Sequence, residues 1–267
     1  MNYQIVVLIK QVPDTQNVGP DAMNADGTVN RAALPAIFNP EDLKALEMAL
    51  QIKEQYPGSV ITVLTMGPER ASAIIRDALS RGADRGIIIS DARFAGSDTL
   101  ATSYALACAI RKIGEFDMVL GGRQAIDGDT AQVGPQVAEK LDLPQITYAE
   151  RLLELNGKHI VLTRRLDNGV ETVEAELPVL VTVTASAPDC RYSHAHLLLK
   201  NAKAQAEIWN ADAIRPEIER LGLKGSPTKV KKIDNVVLAH KEGVQVECSE
   251  AGINGLVMTL VQDHIIG

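Results

Sequence analysis

The chain has 267 residues, a formal net charge of -7, 46% hydrophobic residues and only 3% aromatic ones. That is enough apolar material for one large domain or two small ones, with a core built from Val, Leu, Ile and Ala. The acidity and the scarcity of aromatics argue against nucleic-acid binding, and no apolar run is long enough to span a bilayer. The start, MNYQIVVLIKQVPD, is too short for a secretion signal and reads as a strand. The three cysteines, Cys108, Cys190 and Cys248, lack metal-ligand spacing and fit a reducing, cytoplasmic setting.

Tyr3 to Ile9 is a continuous apolar strand, followed by a long polar stretch from Gln11 to Asn39 that has a task of its own or folds as a small excursion. Asn39-Pro40-Glu41-Asp42 opens a helix: Asn39 can cap, Pro40 fits the first position, and the acids suit the positive end. Strands follow at Ser59 to Thr65, Gly86 to Ser90 and Asp117 to Leu120. Between them lie a helix through Ile74, Ala78 and Leu79 that Gly82 ends, and one starting at Ser97 or Asp98 and running to about Ile113. A helix ending near Leu141 completes the pattern.

Uninterrupted apolar strands alternating with helices predict an α/β fold, a Rossmann-like and mostly parallel sheet with helices on both faces. Ligands bind such sheets at the carboxyl ends of the strands, where Lys10–Thr15, Asn39–Asp42, Met66–Pro68 and Gly121–Val133 fall. From Tyr148 the pattern becomes β-rich, with strands at His159 to Arg165, Val170 to Leu177 and Val179 to Thr184 and a turn at Asp167-Asn168-Gly169. Residues 1–190 are expected to form the nucleotide-binding domain, with 146–184 its β-rich part. The more polar residues 191–267 are expected to form a C-terminal extension, amphipathic or extended around Leu197 to Trp209, with an ordered loop and a basic strip in LGLKGSPTKVKKI.

The most telling stretch is GGRQAIDGDTAQVGPQVAEKL, Gly121 to Leu141, between the strand FDMVL and a helix. Glycines let a backbone turn and approach a ligand closely, and a helix start offers free N–H groups with a favourable dipole. Thr130 can donate a hydroxyl and Gln132 an amide; either Thr130 caps the helix or Gly134 precedes Pro135 at its first position. Asp127 and Asp129 must point away from a phosphate, or bind ribose hydroxyls, Arg123 or a metal. The spacing matches neither the dinucleotide glycine fingerprint nor the lysine-bearing phosphate loop. Phosphate binding and a loop merely packed against its sheet both remain open on these residues. No second ligand cluster supports a metal, His194 and His196 included, and no nucleophile–base arrangement is evident.

KQVPDT (Lys10 to Thr15), NPED (Asn39 to Asp42), MGP (Met66 to Pro68), GADRG (Gly82 to Gly86) and GRQAIDGDTAQVGPQVAEKLDLP (Gly122 to Pro144) occur together in order. With RRLDNGVETVEAELP and the later Arg191-Tyr192, they make nearly the whole chain resemble the beta, or small, subunit of electron-transfer flavoprotein. DGDTAQVGP, Glu207-Ile208-Trp209 and GLKGSPTKV resemble its electron-bifurcating branch. The family's proline-bearing docking segment after Arg-Tyr is replaced here by SHAHLLLK, which leaves the dehydrogenase partner open.

The resemblance implies a C-terminal region that wraps or docks on an alpha subunit carrying FAD, and a second FAD in this chain. NADH would deliver a hydride there, one electron passing to the alpha flavin and an acyl-CoA dehydrogenase-type flavoenzyme, the other to ferredoxin or flavodoxin. Enzymatic activity is then expected only in the complex. The resemblance also admits a single-flavin carrier whose beta site holds structural AMP, or a nucleotide-binding regulatory protein. Carried onto this sequence, Leu8, Lys10, Asn39, Asp42 and Met66 are expected at the cofactor, with the loop residues Gly122, Arg123, Gln124, Ala125, Asp127, Gly128, Asp129, Thr130, Ala131, Gln132 and Val133. Backbone groups of Leu8 and Met66 would frame adenosine, the loop would hold the diphosphate, and Arg164 would lie near the isoalloxazine.

Overall fold

Five apolar runs of the sequence become the adjacent parallel strands at the centre of one sheet. The computed structural model describes residues 1–14, 35–229, 243 and 245–266. Strand β1 (Gln4–Leu8) lies between β4 (Val60–Met66) and β6 (Met118–Gly122). Outside β4 comes β5 (Arg85–Ile89), and outside β6 comes β10 (Val179–Val183). β7 (Gln145–Asn156) runs parallel to β10, and β8 (His159–Leu166) and β9 (Gly169–Glu176) continue antiparallel. At the opposite edge β11 (Glu207–Trp209) pairs parallel with β5, giving nine strands in the order β11-β5-β4-β1-β6-β10-β7-β8-β9. β2 (Gln11–Pro13) and β3 (Ala36–Phe38) form a separate two-stranded ribbon.

Strand alternation sends successive side chains to opposite faces, and both faces are covered. Ile5, Val7, Ile61, Val63, Met118 and Leu120 pack under α1 (Pro40–Gln55) and α2 (Ser72–Arg81). Val6, Leu64, Ile87, Ile89 and Val119 pack under α3 (Thr99–Ile113) and α4 (Val133–Leu141). The expected fold class therefore holds. The β-rich part is continuous with the main sheet, and its last strand, Val179–Val183, sits beside β6 rather than in the antiparallel extension. β7 is a twelve-residue strand that the sequence reading did not isolate.

Helix starts follow local chemistry unevenly. Asp98 caps α3, its carboxylate accepting the Leu100 and Ala101 N–H groups. Gly82 ends α2 at φ +128°, as expected. Asn39 precedes α1 but makes no side-chain cap, and α4 starts at Val133 after an uncapped Gln132, not at Thr130 or Gly134.

Beyond β10 the chain returns over α1. Arg191 donates to Glu47 through its backbone N–H and its guanidinium, at 2.8 to 3.0 Å, and also to Glu54. Then α5 (Ala195–Asn201) packs on α2, and α6 (Ala211–Ile214) follows β11. Burial pushes the Glu47 carboxyl up, but the Arg191 hydrogen bonds outweigh it and hold it below its usual range. A lowered carboxylate stabilises the fold above its ordinary titration range, and that contribution disappears as pH falls through it. Arg191→Ala leaves Glu47 buried without its cation and should cost about 3 kcal/mol at neutral pH, read by urea unfolding. Equal stability of the two proteins would contradict this.

Leu221–Lys229, the described part of the expected loop and basic strip, is tied to α3. Ser226 accepts from the Asp98 N–H, and Thr228 donates through both its N–H and its hydroxyl to the Asp98 carboxylate. The rest of that strip lies outside the described residues, as do 15–34 of the polar excursion. A final helix, α7 (Glu250–Gln262), buries none of its residues against the chain.

Candidate functional site

From β1 the chain builds outward through β4 and β5, then crosses back to place β6 on the other side of β1. That reversal opens a crevice beyond the carboxyl ends of β1 and β6. A cavity of about 490 Å³ lies there. Leu8 and Lys10 come to it from the end of β1, Met66 from β4, and Gly121 to Ala125, Gly128 and Thr130 to Gly134 from the end of β6 and the loop after it. The opposite wall is Phe94, Gly96, Ser97 and Asp98, just before α3, with Thr99 and Thr102 in its first turn.

The NPED segment clasps the loop. The Asn39 amide donates to the Gln124 carbonyl at 2.9 Å, and its oxygen accepts the Ile126 N–H. Glu41 takes both the Arg123 guanidinium and the Gln124 N–H. Asp42 accepts the Lys10 N–H on one oxygen and the Gly122 N–H on the other. All three residues are buried, so these bonds lie largely shielded from water. Gly122 is required for the approach: a Cβ there would lie 2.5 Å from the Asp42 carboxylate and 2.8 Å from the α1 backbone.

Pinned at its root, the loop presents its tip to the cavity. Asp129 and Ala131 adopt left-handed φ values of 49° and 51° around Thr130. Among the described residues, the N–H groups of Thr130, Ala131 and Gln132 meet no acceptor. Runs of such N–H groups beside an uncapped helix start form anion-binding concavities. A phosphate-bearing cofactor therefore fits the residues present.

Thirteen of the expected site residues line the cavity, from Leu8, Lys10, Asp42 and Met66 to Gly122, Arg123, Gln124, Ala125, Gly128, Thr130, Ala131, Gln132 and Val133. Asn39, Asp127, Asp129 and Arg164 do not line it. Asn39 acts through the clasp. Asp127 pairs with Lys10 at 2.7 Å, and Asp129 accepts the Gln124 amide, which turns both aspartates to protein partners. Arg123 binds Glu41 rather than either aspartate. The Gln132 side-chain amide oxygen, Oε1, accepts the Thr99 hydroxyl. Arg164 lies opposite Ala149 on β8, 3.8 Å from Glu171, and its buried Nε has no hydrogen-bond partner among the described residues. No group of residues able to hold a metal occurs among the described residues. Phe94, Ser97, Thr99 and Thr102 were not anticipated in the cavity wall; a helix start opposite the glycine loop was their only sequence signal.

Removing the Asn39 side chain strands one N–H and one carbonyl of the loop. Asn39→Ala should destabilise the loop by about 2 kcal/mol and weaken nucleotide binding roughly tenfold, measured by calorimetry on the purified complex. Unchanged affinity would show that the clasp does not order the loop.

Burial is the main influence on Asp42 and pushes its carboxyl up to about 7, although Asn39 and the two backbone donors pull it down. A carboxyl raised in the folded state contributes its full stability below pH ~4, and that contribution is lost as pH climbs through about 7. Carbon-detected NMR of the Asp42 carboxyl should show a midpoint near 7. A midpoint near 4, the ordinary value, would mean that the N–H donors outweigh burial.

Comparison with known proteins agrees with this geometry. The electron transfer flavoprotein domain family matches residues 26–214. The electron transfer flavoprotein subunit beta of Clostridium acetobutylicum is 45% identical over 98% of this chain and 99% of its own. The caffeyl-CoA reductase-Etf complex subunit CarD of Acetobacterium woodii is 43% identical over 85% of this chain and 86% of its own. The acryloyl-CoA reductase electron transfer subunit gamma of Anaerotignum propionicum is 40% identical over 98% and 100%. With the sheet, the glycine loop and near-complete coverage in agreement, the chain belongs to the electron transfer flavoprotein family, as a beta subunit.

Proposed function

We propose that the cavity holds FAD and that the chain, joined to an alpha subunit, takes a hydride from NADH. The electrons are then divided between ferredoxin or flavodoxin and an acyl-CoA dehydrogenase-type flavoenzyme. The observation that carries this reading is the set of unpartnered N–H groups at Thr130–Gln132, facing a cavity that Lys10 also lines. Bound FAD would supply the exchange between two-electron and one-electron chemistry; this chain's residues bind and orient it.

The loop N–H groups suit a diphosphate, and Lys10 offsets its charge. Leu8, Met66 and Phe94 offer apolar surface to a planar ring. Arg164 lies outside the cavity lining, with its buried Nε 3.8 Å from Glu171, so a place near the flavin ring would need its guanidinium to turn toward the cofactor in the complex. One relative is named as a subunit of a caffeyl-CoA reductase-Etf complex and another as an electron transfer subunit of acryloyl-CoA reductase, which supports a flavoenzyme acting on a CoA thioester as partner. The C-terminal end of the 191–267 region is proposed to dock on the alpha subunit through α7, none of whose described residues is buried. Among the described residues no helix is long and apolar enough to cross a membrane, and a cytoplasmic place of work is part of the proposal, in keeping with three free cysteines.

The test is anaerobic turnover of the complex with NADH, ferredoxin, an acyl-CoA dehydrogenase and its enoyl-CoA. Ferredoxin reduction that requires the enoyl-CoA is expected. A complex that ignores NADH yet accepts electrons from the dehydrogenase would be a single-flavin carrier instead.

A further inference from the structure

Behind α3 the protein carries positive charge that the fold does not neutralise. Arg111 and Lys112 at the end of α3, with Arg215 just after α6, line an open cleft of about 480 Å³. All three are exposed, and none forms an ion pair with a carboxylate among the described residues. Arg220 lies 3.9 Å over the Tyr104 ring in the cleft wall, and its only carboxylate contact among the described residues is Glu217 at 3.5 Å. Lys140 is close enough that, after burial, the charge of Arg220 is what lowers its pKa. The nearby acids are Glu139, Glu217, an Asp212 already held by two bonds from Arg93, and a Glu207 that feels Lys112 but is held by two bonds from Arg85. On a chain of net charge -7 this face is a local reversal of sign.

The floor of the cleft indicates what it fits. Arg111 donates to the carbonyl of Lys140 in the last turn of α4, and Lys112 donates to the Ala213 carbonyl at 2.9 Å. Lys112 also lies 4.5 Å over the Trp209 ring. Carbonyl oxygens at helix ends carry the negative pole, which disfavours a bare phosphate at the bottom and leaves the cations facing outward. An extended acidic surface can meet all of them at once. The cleft also lies close to the cofactor cavity. Leu106 lines that cavity, while Tyr104, Cys108 and Arg111 of the same helix line the cleft, so about 10 Å of helix separates them.

From this juxtaposition we infer that the basic cleft formed by the end of α3 and the segment after α6 is the docking surface for an acidic one-electron carrier protein. The inference rests on the proposed NADH-linked function and names where its small carrier binds. Held there, the carrier would face the cavity across a single helix, a separation short enough for direct electron transfer.

The test uses the complex with its alpha subunit and ferredoxin as the probe, comparing the parent with Arg215→Glu and with Arg215→Glu combined with Arg111→Gln. Among the described residues the Arg215 side chain has no carboxylate partner to lose, and reduction of a tetrazolium dye by NADH reports on the intact cofactor and fold. The ferredoxin KM should rise roughly tenfold in the double variant, with a weaker dependence on ionic strength and dye reduction unchanged. A KM equal to that of the parent, while the parent reduces ferredoxin normally, overturns the docking site and leaves the proposed function standing. A parent complex that cannot pass electrons from NADH to ferredoxin overturns both. Variants that no longer co-purify with the alpha subunit would place this face in the heterodimer interface, which also overturns the inference.

Discussion

Gly122→Ala should lose cofactor and stability together. The new Cβ would lie 2.5 Å from Asp42 Oδ1, 2.8 Å from the Asp42 backbone nitrogen and 2.8 Å from the Glu41 carbonyl carbon. Two of these atoms are backbone of the first turn of α1, whose leucines Leu46 and Leu50 are locked in the core. Side-chain rotation therefore cannot relieve the contact; either the loop or the helix must shift. Overpacking against fixed backbone costs about 3 kcal/mol. The shift also lengthens the Gly122–Asp42 bond, now 3.0 Å, so the loop root should loosen. The expected result is a lower unfolding midpoint in urea and loss of most bound nucleotide. Gly128→Ala is the matched control, because a Cβ there meets nothing within 4 Å. Equal behaviour of the two variants would contradict the clasp.

Glu41→Ala should have the other large effect. The Glu41 side chain is only 6% exposed, and it holds both the Arg123 guanidinium and the Gln124 N–H. Truncation leaves a partly buried cation and a backbone donor unmatched, at a cost of about 4 kcal/mol. Glu41→Gln, which can still accept one of those bonds, should recover part of that loss. Because Glu41 and Asn39 grip adjacent residues of one loop, their deletions should be non-additive in a double-mutant cycle. Losses that simply add would mean that the two residues act on separate structures.

Much of this was legible from sequence, for identifiable reasons. β1, β4, β5 and β6 are uninterrupted apolar runs because the sheet buries them on both faces, and such runs stand out. The glycine loop was legible because its glycines and its position between strand and helix serve the same need. β7 was hidden because Glu150, Arg151 and Glu154 break its alternation, and two register shifts against β8 spoil the period. Its role as a neighbour of β10 depends on residues 34 to 35 positions away, as in the pairs Leu180–Gln145 and Val183–Ala149. Asn39 was read as a helix cap, its usual local use, but its side chain reaches instead to residues 85 and 87 positions along the chain. Local propensity carries no information about such a partner. The wall from Phe94 to Thr102 was hidden for the same reason: nothing in that segment states that α3 begins opposite the loop.

The clasp also explains how two acidic residues can serve a site meant for an anion. Glu41 and Asp42 spend their oxygens on Arg123 and on the backbone N–H groups of Lys10, Gly122 and Gln124. They act on the root of the loop, whereas the free N–H groups lie at its tip. Asp127 and Asp129 are likewise engaged, with Lys10 and Gln124. Lys10 is the adjustable element, since its exposed pairing with Asp127 is worth little and can give way to a phosphate.

The central claim is that this chain holds a flavin of its own. The most direct measurement is the nucleotide content of the complex with its alpha subunit, denatured and analysed by chromatography with mass detection. The account predicts two FAD for each alpha–beta pair and no AMP. One FAD and one AMP, persisting after FAD has been added back, would contradict it and leave a single-flavin carrier.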